Sequence, residues 1–185
     1  MTRTIVGTPS FSMITFSQMS AAVTSGLLFG MPADIPLTTH HCQTSWQIAP
    51  SGARLWTHAD LTRAGAVFVG DTGFTLARNP DTVRGPDIAF IRTERLPQPI
   101  PSTFLDFAPD LVVEILSPDD RPGAILAKVG DWLDAGARLV WVVDPERRVA
   151  RVYRQDGTED VISGDGALLG EDVLPGFSCT LPTVL

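Results

Sequence analysis

Two nearly continuous apolar segments constrain the fold of this chain more than any other feature: DLVVEIL at residues 110–116 and RLVWVVD at residues 138–144. A strand with one exposed face alternates apolar and polar residues, whereas a strand buried on both faces is apolar almost throughout. The two segments therefore predict central strands. A helical segment lies between them, and this order of strand, helix and strand favours an α/β fold with a mixed central sheet over a β-sandwich.

The helix predicted between these strands follows a start signal, SPDDRPG at residues 117–123, and ends at Gly136. Its apolar side chains form one stripe: Ile125, Leu126, Val129, Trp132 and Leu133. At about 100° per residue, Lys128 lies roughly a quarter-turn from the centre of this stripe, beside Trp132. Its methylene stem can therefore lie on the core while its ammonium extends beyond it.

Shorter strands are predicted on both sides of this unit. Residues 66–77 predict a hairpin of two short strands around a Gly-Asp-Thr-Gly turn, and PDIAFI at residues 86–91 predicts another strand. Residues 145–163 predict a C-terminal β-hairpin with an Asp-Gly turn. The apolar residues of the tail, residues 166–185, predict that it packs around the core.

The first sixty residues have no clean helical or strand period, although apolar side chains such as Phe16 and Trp46 predict that part of the segment packs. At 185 residues, the chain has the length of a single structural domain. We therefore expect an N-terminal segment, residues 1–60, packed on a principal domain, residues 61–185, that holds the α/β core and the hairpin extension.

Charge and cysteine content limit the class of protein. The formal net charge of −7 argues against a large nonspecific nucleic-acid surface, although a local arginine stripe and an acidic metal site are compatible with it. Cys42 and Cys179 are far apart in sequence, which predicts free thiols in a reducing compartment. Because no apolar run reaches membrane-spanning length, we expect a cytoplasmic protein without a membrane partner.

Glu114 is an ionisable residue inside a segment that is otherwise apolar. A carboxylate in a strand buried on both faces costs several kcal/mol unless it is paired, protonated or bound to a metal. Two interpretations stay open. One is a structural salt bridge to an arginine, and the other is a functional site, because acids with perturbed pKa values cluster at such sites.

Lys128 and Asp87 are the other candidate site residues. Lys128 is the only lysine among fourteen basic residues, and a lysine, unlike an arginine, is a compact charge with a tunable pKa. A lysine on the flank of a helix is more often simply snorkelling. Asp87 opens a predicted strand, whereas the aspartates of the other Pro-Asp pairs, Asp81, Asp110 and Asp119, are typical of turns or caps.

Several runs, in this order, resemble the Uma2 family (DUF820-type), whose members are assigned as endonucleases of the PD-(D/E)xK restriction-endonuclease-like superfamily. The runs are NPDTVRGPDIAFI, APDLVVEILSPDDR, KVGDWLDAGARLVWVVDPERRVARVYRQDG and the closing segment GEDVLPGF. The resemblance covers roughly residues 66–185, about two-thirds of the chain.

This resemblance implies an α-β-β-β-α-β core in which two acids on adjacent strands hold a divalent metal beside a lysine. Asp87 matches the first acid of the family pattern and Glu114 the second. The superfamily's usual lysine lies two residues beyond the glutamate, where this chain has Leu116. Similar proteins place the lysine on the following helix instead, and Lys128 matches that position.

The function implied is a metal-dependent DNA endonuclease. Asp87 and Glu114 would hold Mg²⁺ or Mn²⁺, and Lys128 would orient or activate the attacking water. Asp71, in the Gly-Asp-Thr-Gly turn, is a candidate further acid. Ser117 is a candidate hydrogen-bond donor near the metal, although capping the helix is the more ordinary role. A homodimer is expected, because cutting two strands needs two sites.

A second hypothesis is a catalytically silent nuclease-fold protein that acts as a binding or oligomerisation module. Two features favour it. One is the shortage of basic residues, and the other is an N-terminal third that does not cleanly match the opening of similar proteins, a segment resembling Tyr-Glu-Leu-Ile-Asp-Gly-Glu followed by a helix introduced by a histidine. A small-molecule hydrolase using the same acids has no specific feature in its favour.

Overall fold

The computed structural model describes residues 39–70 and 72–185, with side chains from residue 48 onward. Two α-helices and ten strands follow one another along these residues, with single 3₁₀ turns at Thr93–Arg95 and Leu181–Thr183. The elements are α1 (Thr39–Thr62), β1 (Gly65–Val69), β2 (Phe74–Ala77), β3 (Thr82–Arg84), β4 (Ile88–Arg92), β5 (Leu111–Ile115), α2 (Pro122–Asp134), β6 (Leu139–Asp144), β7 (Val149–Arg154), β8 (Glu159–Ser163), β9 (Ala167–Leu169) and β10 (Ser178–Thr180).

Six of the strands form one mixed sheet in the order β1-β4-β5-β6-β7-β8. The central pair, β5 and β6, is parallel, and every other pair is antiparallel. Parallel neighbours cannot be joined by a tight turn, and α2 provides the crossover between them. The predicted mixed α/β fold is confirmed, and the order α1, β1, β4, β5, α2, β6 is the α-β-β-β-α-β core that the family resemblance implied.

The sheet separates two apolar layers, which is why β5 and β6 are buried at every position. On one side, Leu111, Val113 and Ile115 of β5 pack in a cluster with α1 and the C-terminal tail. On the other side, Val112 packs in a cluster with α2 and the β2–β3 hairpin. Side chains alternate between the two faces of a strand, so Glu114 lies on the α2 side.

The residue pattern alone did not predict helix α1, because Pro50, Ser51 and Gly52 lie in the middle of it. Proline and glycine are unfavourable inside a helix, and together they hide the helical period. Tertiary packing overrides these preferences, since α1 buries Leu55 and Ala59 against the sheet. The predicted division between residues 1–60 and 61–185 stays a prediction, and residues 1–38 lie outside the described residues.

The predicted hairpin over residues 66–77 is wrong in its pairing. The two strands exist, but β1 pairs with β4 in the six-stranded sheet, with Gly65 opposite Arg92. Strand β2 instead pairs with β3 in a separate hairpin. Apolar patterning identifies strands but carries little information about which strand is the neighbour.

The C-terminal part of the chain agrees with expectation. Strands β7 and β8 form the predicted hairpin, with Gly157 at a φ of 84° in its turn. The tail adds the small β9–β10 pair and buries Leu174 and Phe177 in the α1-side cluster, where Cys179 is a buried free thiol. Within the described residues, no helix has the length and apolar character needed to cross a membrane.

Candidate active site

Glu114 lies on β5, and Asp87 immediately precedes the neighbouring antiparallel strand β4. The register of β4 and β5 places Ile88 opposite Val113, so the residue before Ile88 comes level with the residue after Val113. Asp87 is held there by a hydrogen bond, in which the backbone N–H of Ile115 donates to Asp87 Oδ2 at 2.6 Å. The strand pairing therefore brings the two predicted acids together.

Helix α2 supplies the third predicted residue. Lys128 Nζ lies 3.4 Å from Glu114 Oε2, and Trp132 Nε1 donates to Glu114 Oε1 at 2.9 Å. Glu114 is only 5% exposed, whereas the side chain of Lys128 is 36% exposed. The ammonium thus reaches from the solvent edge of α2 to a buried carboxylate, as its position on the flank of the apolar stripe predicted.

The bounds of α2 and the stripe that it buries agree with the pattern of its sequence. The helix begins with Pro122 in its first turn, after Arg121 at the N-cap, and the chain leaves it through Gly136 at a φ of 101°, which glycine tolerates. Ile125 and Val129 are buried as predicted. Leu126, also assigned to the apolar stripe, is 56% exposed, because it lies at the edge of the stripe where the sheet does not cover it.

The other interpretation of a buried acid, a structural salt bridge to an arginine, holds for Asp110 and not for Glu114. Arg95 Nη1 donates to Asp110 Oδ1 at 2.8 Å, and Arg92 N donates to its Oδ2 at 2.9 Å. The turn or cap role predicted for Asp110 is therefore wrong, because the side chain is buried and ion-paired. Glu114, by contrast, has no arginine partner among the described residues.

Burial raises the pKa of both site carboxyls above their usual values. For Glu114, desolvation is the largest cause, and the nearby charge of Asp87 adds to it, while Lys128 and the Trp132 hydrogen bond act in the opposite direction. For Asp87, desolvation again dominates and Asp120 adds to it, opposed by the Ile115 hydrogen bond and by Lys128. Two desolvated carboxylates that repel one another form a site that favours a cation.

The carboxylate pair suits a hard divalent ion. Oxygen ligands of this type are those that Mg²⁺ and Mn²⁺ prefer, and Mg²⁺ usually keeps several waters while it binds one or two carboxylates. Asp87 Oδ1 accepts no hydrogen bond from any described residue, so it is a candidate metal ligand. No group of three or more His, Cys, Asp or Glu residues in the described part of the chain could hold an ion, so waters or substrate oxygens would complete the coordination.

Ser117 and Asp71 are the two secondary candidates for the site. Ser117 does not cap α2, because both its backbone N–H and its hydroxyl bind the Asp120 carboxylate, at 2.8 and 2.9 Å. The four-residue separation from Arg121, the N-cap, leaves Ser117 too far away for that role. Asp71 lies outside the described residues. Its neighbour Gly70 donates a backbone hydrogen bond to the Asp87 carbonyl at 3.0 Å.

A cleft of about 530 Å³ opens at the ends of β5 and β6. Its walls include the loop after β5, the first turns of α2 and parts of β6 to β8. Asp120 lines this cleft, and its charge also raises the pKa of Asp87. Asp87, Glu114 and Lys128 are not among the residues that line the cleft. Arg147 and Arg151 line its other side, each in an ion pair with an acid.

Sequence reasoning missed the contact of Trp132 with Glu114. Trp132 was assigned to the apolar stripe, and it does lie in the core. Its spacing of four residues from Lys128 was the available signal, because residues four apart lie on the same face of a helix. An indole on the face that carries the candidate lysine can donate to whatever the lysine contacts.

The fold is that of a restriction-endonuclease-like class of protein. The family model Uma2, described as "Putative restriction endonuclease", matches residues 46–182. The chain therefore belongs to the Uma2 family, as its sequence runs predicted. A solved structure described as "a putative nuclease belonging to DUF820 from Anabaena variabilis ATCC 29413" is similar in fold, with a TM-score of 0.69 and 20% identity over 86% of each chain. No curated protein matches the sequence.

The raised pKa values predict how pH affects the stability of the metal-free protein. Above the usual values of 3.8 for Asp87 and 4.5 for Glu114, the folded state holds protons that the unfolded state has released. The free energy of unfolding therefore falls as pH rises from the usual pKa values of the two carboxyls through their raised pKa values. The fall is at most about 1.4 kcal/mol per pH unit for each group. A double variant, Asp87→Asn with Glu114→Gln, lacks this penalty. Denaturant titrations in EDTA should show it more stable than the wild type near pH 7.

The pH dependence separates this effect from a simple change in packing. The advantage of the double variant should shrink as pH is lowered to about 4, where the wild-type carboxyls take up their protons. An advantage of the same size at every pH would contradict the assignment.

Proposed function

We propose that this protein is a metal-dependent endonuclease that hydrolyses phosphodiester bonds in DNA. One observation carries the proposal: the only lysine of the chain lies 3.4 Å from the Glu114 carboxylate, and the strand register places Asp87 level with Glu114. Both carboxyls have raised pKa values. Membership of the Uma2 family supports a nuclease.

Each of the three residues has a separate task in this proposal. Asp87 and Glu114 would hold Mg²⁺ or Mn²⁺, whose chemistry is to polarise the phosphate and acidify a water. Lys128, whose side chain is 36% exposed and whose ammonium lies 3.4 Å from Glu114 Oε2, would orient the attacking water or take part in its deprotonation. Its place in β5 keeps Glu114 out of bulk solvent. Electrostatic interactions are stronger in such a buried site than in water.

Arginines near the site are consistent with a DNA substrate despite the negative net charge. Arg121, Arg147 and Arg148 are exposed and lie in the loops that follow β5 and β6. These two strands are parallel, so both loops lie at the same edge of the sheet, next to the Asp87–Glu114 pair. Guanidinium groups at such an edge can contact phosphates on either side of the scissile bond.

The test is cleavage of supercoiled plasmid DNA by purified protein with Mg²⁺, with Mn²⁺ or with EDTA, beside a Glu114→Ala variant purified in the same way. We expect nicking only with a metal and only in the wild type. Equal traces in both preparations would indicate a contaminating nuclease. Calorimetric Mn²⁺ binding without cleavage of DNA or RNA would favour a catalytically silent module instead. The expected homodimer stays a prediction, which sedimentation of the same preparation would test.

A further inference from the structure

The indole of Trp132 is a buried donor that the proposed chemistry does not yet use. Its side chain is fully buried, and its N–H donates to Glu114 Oε1 at 2.9 Å. An indole nitrogen can only donate, so the contact fixes the role of each partner. The hydrogen bond is charge-assisted when Glu114 is ionised, which makes it stronger than a bond between neutral groups.

The ring itself has little freedom to move. Phe74, from the β2–β3 hairpin, meets Trp132 edge-to-face with ring centroids 5.9 Å apart and planes at 77°. Phe74 is also fully buried, so the hairpin packs directly against the indole. Arg84, on the same hairpin, forms an ion pair with Asp131, the neighbour of Trp132 on α2.

The two oxygens of Glu114 are therefore distinguished by α2. Trp132 engages Oε1 and Lys128, one helical turn earlier, approaches Oε2. The terminal torsion of a glutamate is broad, so a carboxylate without a fixed donor could turn either oxygen outward.

We propose that Trp132 is a positioning residue, whose indole N–H holds Oε1 of Glu114 so that Oε2 is the oxygen presented to Lys128 and to a divalent cation. This role rests on the proposed function, since it assumes that the carboxylate pair binds a cation. It assigns a task to the β2–β3 hairpin as well, which fixes the indole through Phe74.

The chain contains a matched control for this residue. Trp141, on β6, is also buried, but it packs on the opposite face of the sheet and stacks on Phe177. Its Nε1 has no hydrogen-bond partner in the described part of the chain. Replacing either tryptophan with phenylalanine removes a buried indole, yet only Trp132→Phe removes a donor from Glu114.

The first test is calorimetric titration with Mn²⁺ of the wild type, Trp132→Phe and Trp141→Phe. We expect Trp132→Phe to weaken Mn²⁺ binding by about 10- to 100-fold, the usual cost of removing an outer partner of a metal ligand, and Trp141→Phe to leave it unchanged. Equal affinity in the two variants would overturn the role of Trp132 alone. A wild type that binds no Mn²⁺ would overturn the cation site and this role together.

A second measurement does not depend on the folding of Trp132→Phe. In ¹H–¹⁵N spectra, the indole resonance of Trp132 should shift when Glu114→Gln replaces the charged acceptor with a neutral one, and again when Mg²⁺ is added to the wild type. The Trp141 resonance, assigned by its loss in Trp141→Phe, should stay in place in both experiments. A Trp132 resonance that ignores Glu114→Gln would overturn the proposal.

Discussion

A Glu114→Ala variant should lose metal-dependent DNA cleavage by about 10³-fold or more, while remaining folded. Glu114 is the more buried of the two proposed metal ligands, and a bound metal contributes several kcal/mol of transition-state stabilisation, each 1.4 kcal/mol of which is about tenfold in rate. Mn²⁺ binding should disappear from the same preparation. The measurements are a calorimetric titration and the initial rate of plasmid nicking, both preparations being assayed at the Mn²⁺ concentration that saturates the wild type.

The thermal stability of Glu114→Ala distinguishes loss of the metal site from loss of the fold. Burial opposes ionisation of Glu114, so its removal relieves a desolvation cost. This gain offsets the cavity and the unpaired Trp132 indole N–H that the substitution leaves behind. Thermal unfolding should therefore stay near that of the wild type. A Glu146→Gln variant is the charge control, because Glu146 is an exposed acid in the loop after β6. Cleavage that survives in Glu114→Ala at the level of Glu146→Gln would exclude Glu114 as a ligand.

A Lys128→Met variant should separate metal binding from turnover. We expect the single-turnover cleavage rate to fall by about 10²- to 10⁴-fold, the usual contribution of a positioned acid or base. Mn²⁺ affinity should rise instead, because the ammonium 3.4 Å from Glu114 Oε2 repels a cation at the same carboxylates. Rates are to be measured at saturating Mn²⁺, so that the change in affinity does not mask the change in turnover.

The alternative role for Lys128 is that of a counter-ion to a buried acid. In that case Lys128→Met would lower thermal stability and leave the rate at saturating Mn²⁺ unchanged. Lys128→Arg then distinguishes two functional roles, since a guanidinium keeps the charge but does not give up its proton. Restored cleavage in Lys128→Arg would show that charge alone is needed, whereas an inactive but stable variant indicates proton exchange or a compact fit.

Two buried acids show where sequence reasoning reaches its limit. Asp110 immediately precedes β5 and Glu114 lies within it. The sequence predicted a buried charge only for Glu114. The structure pairs Asp110 with Arg95 and gives Glu114 a lysine and an indole. A local sequence window does not show which distant side chain meets a carboxylate, because that depends on the strand pairing and on the loop between β4 and β5.

Helix α1 illustrates the opposite failure, in which local signals were strong but misleading. Pro50 and Gly52 argue against a helix, yet Leu55 and Ala59 gain enough burial on the sheet to keep the segment helical. Propensity is a weak prior when a helix has a core to pack against.

By itself, the sequence determined the buried strands, the helix between them, the lone carboxylate and the lone lysine, and the family. These features are local: apolar period, end signals and residue identity are written in short windows of the chain. The tertiary structure alone decided that strand pairing places Asp87 level with Glu114, and that α2 brings Lys128 and Trp132 to the carboxylate of Glu114. The physical reason is that periodicity specifies which face of an element is buried, whereas its neighbour is chosen by packing across the whole sheet.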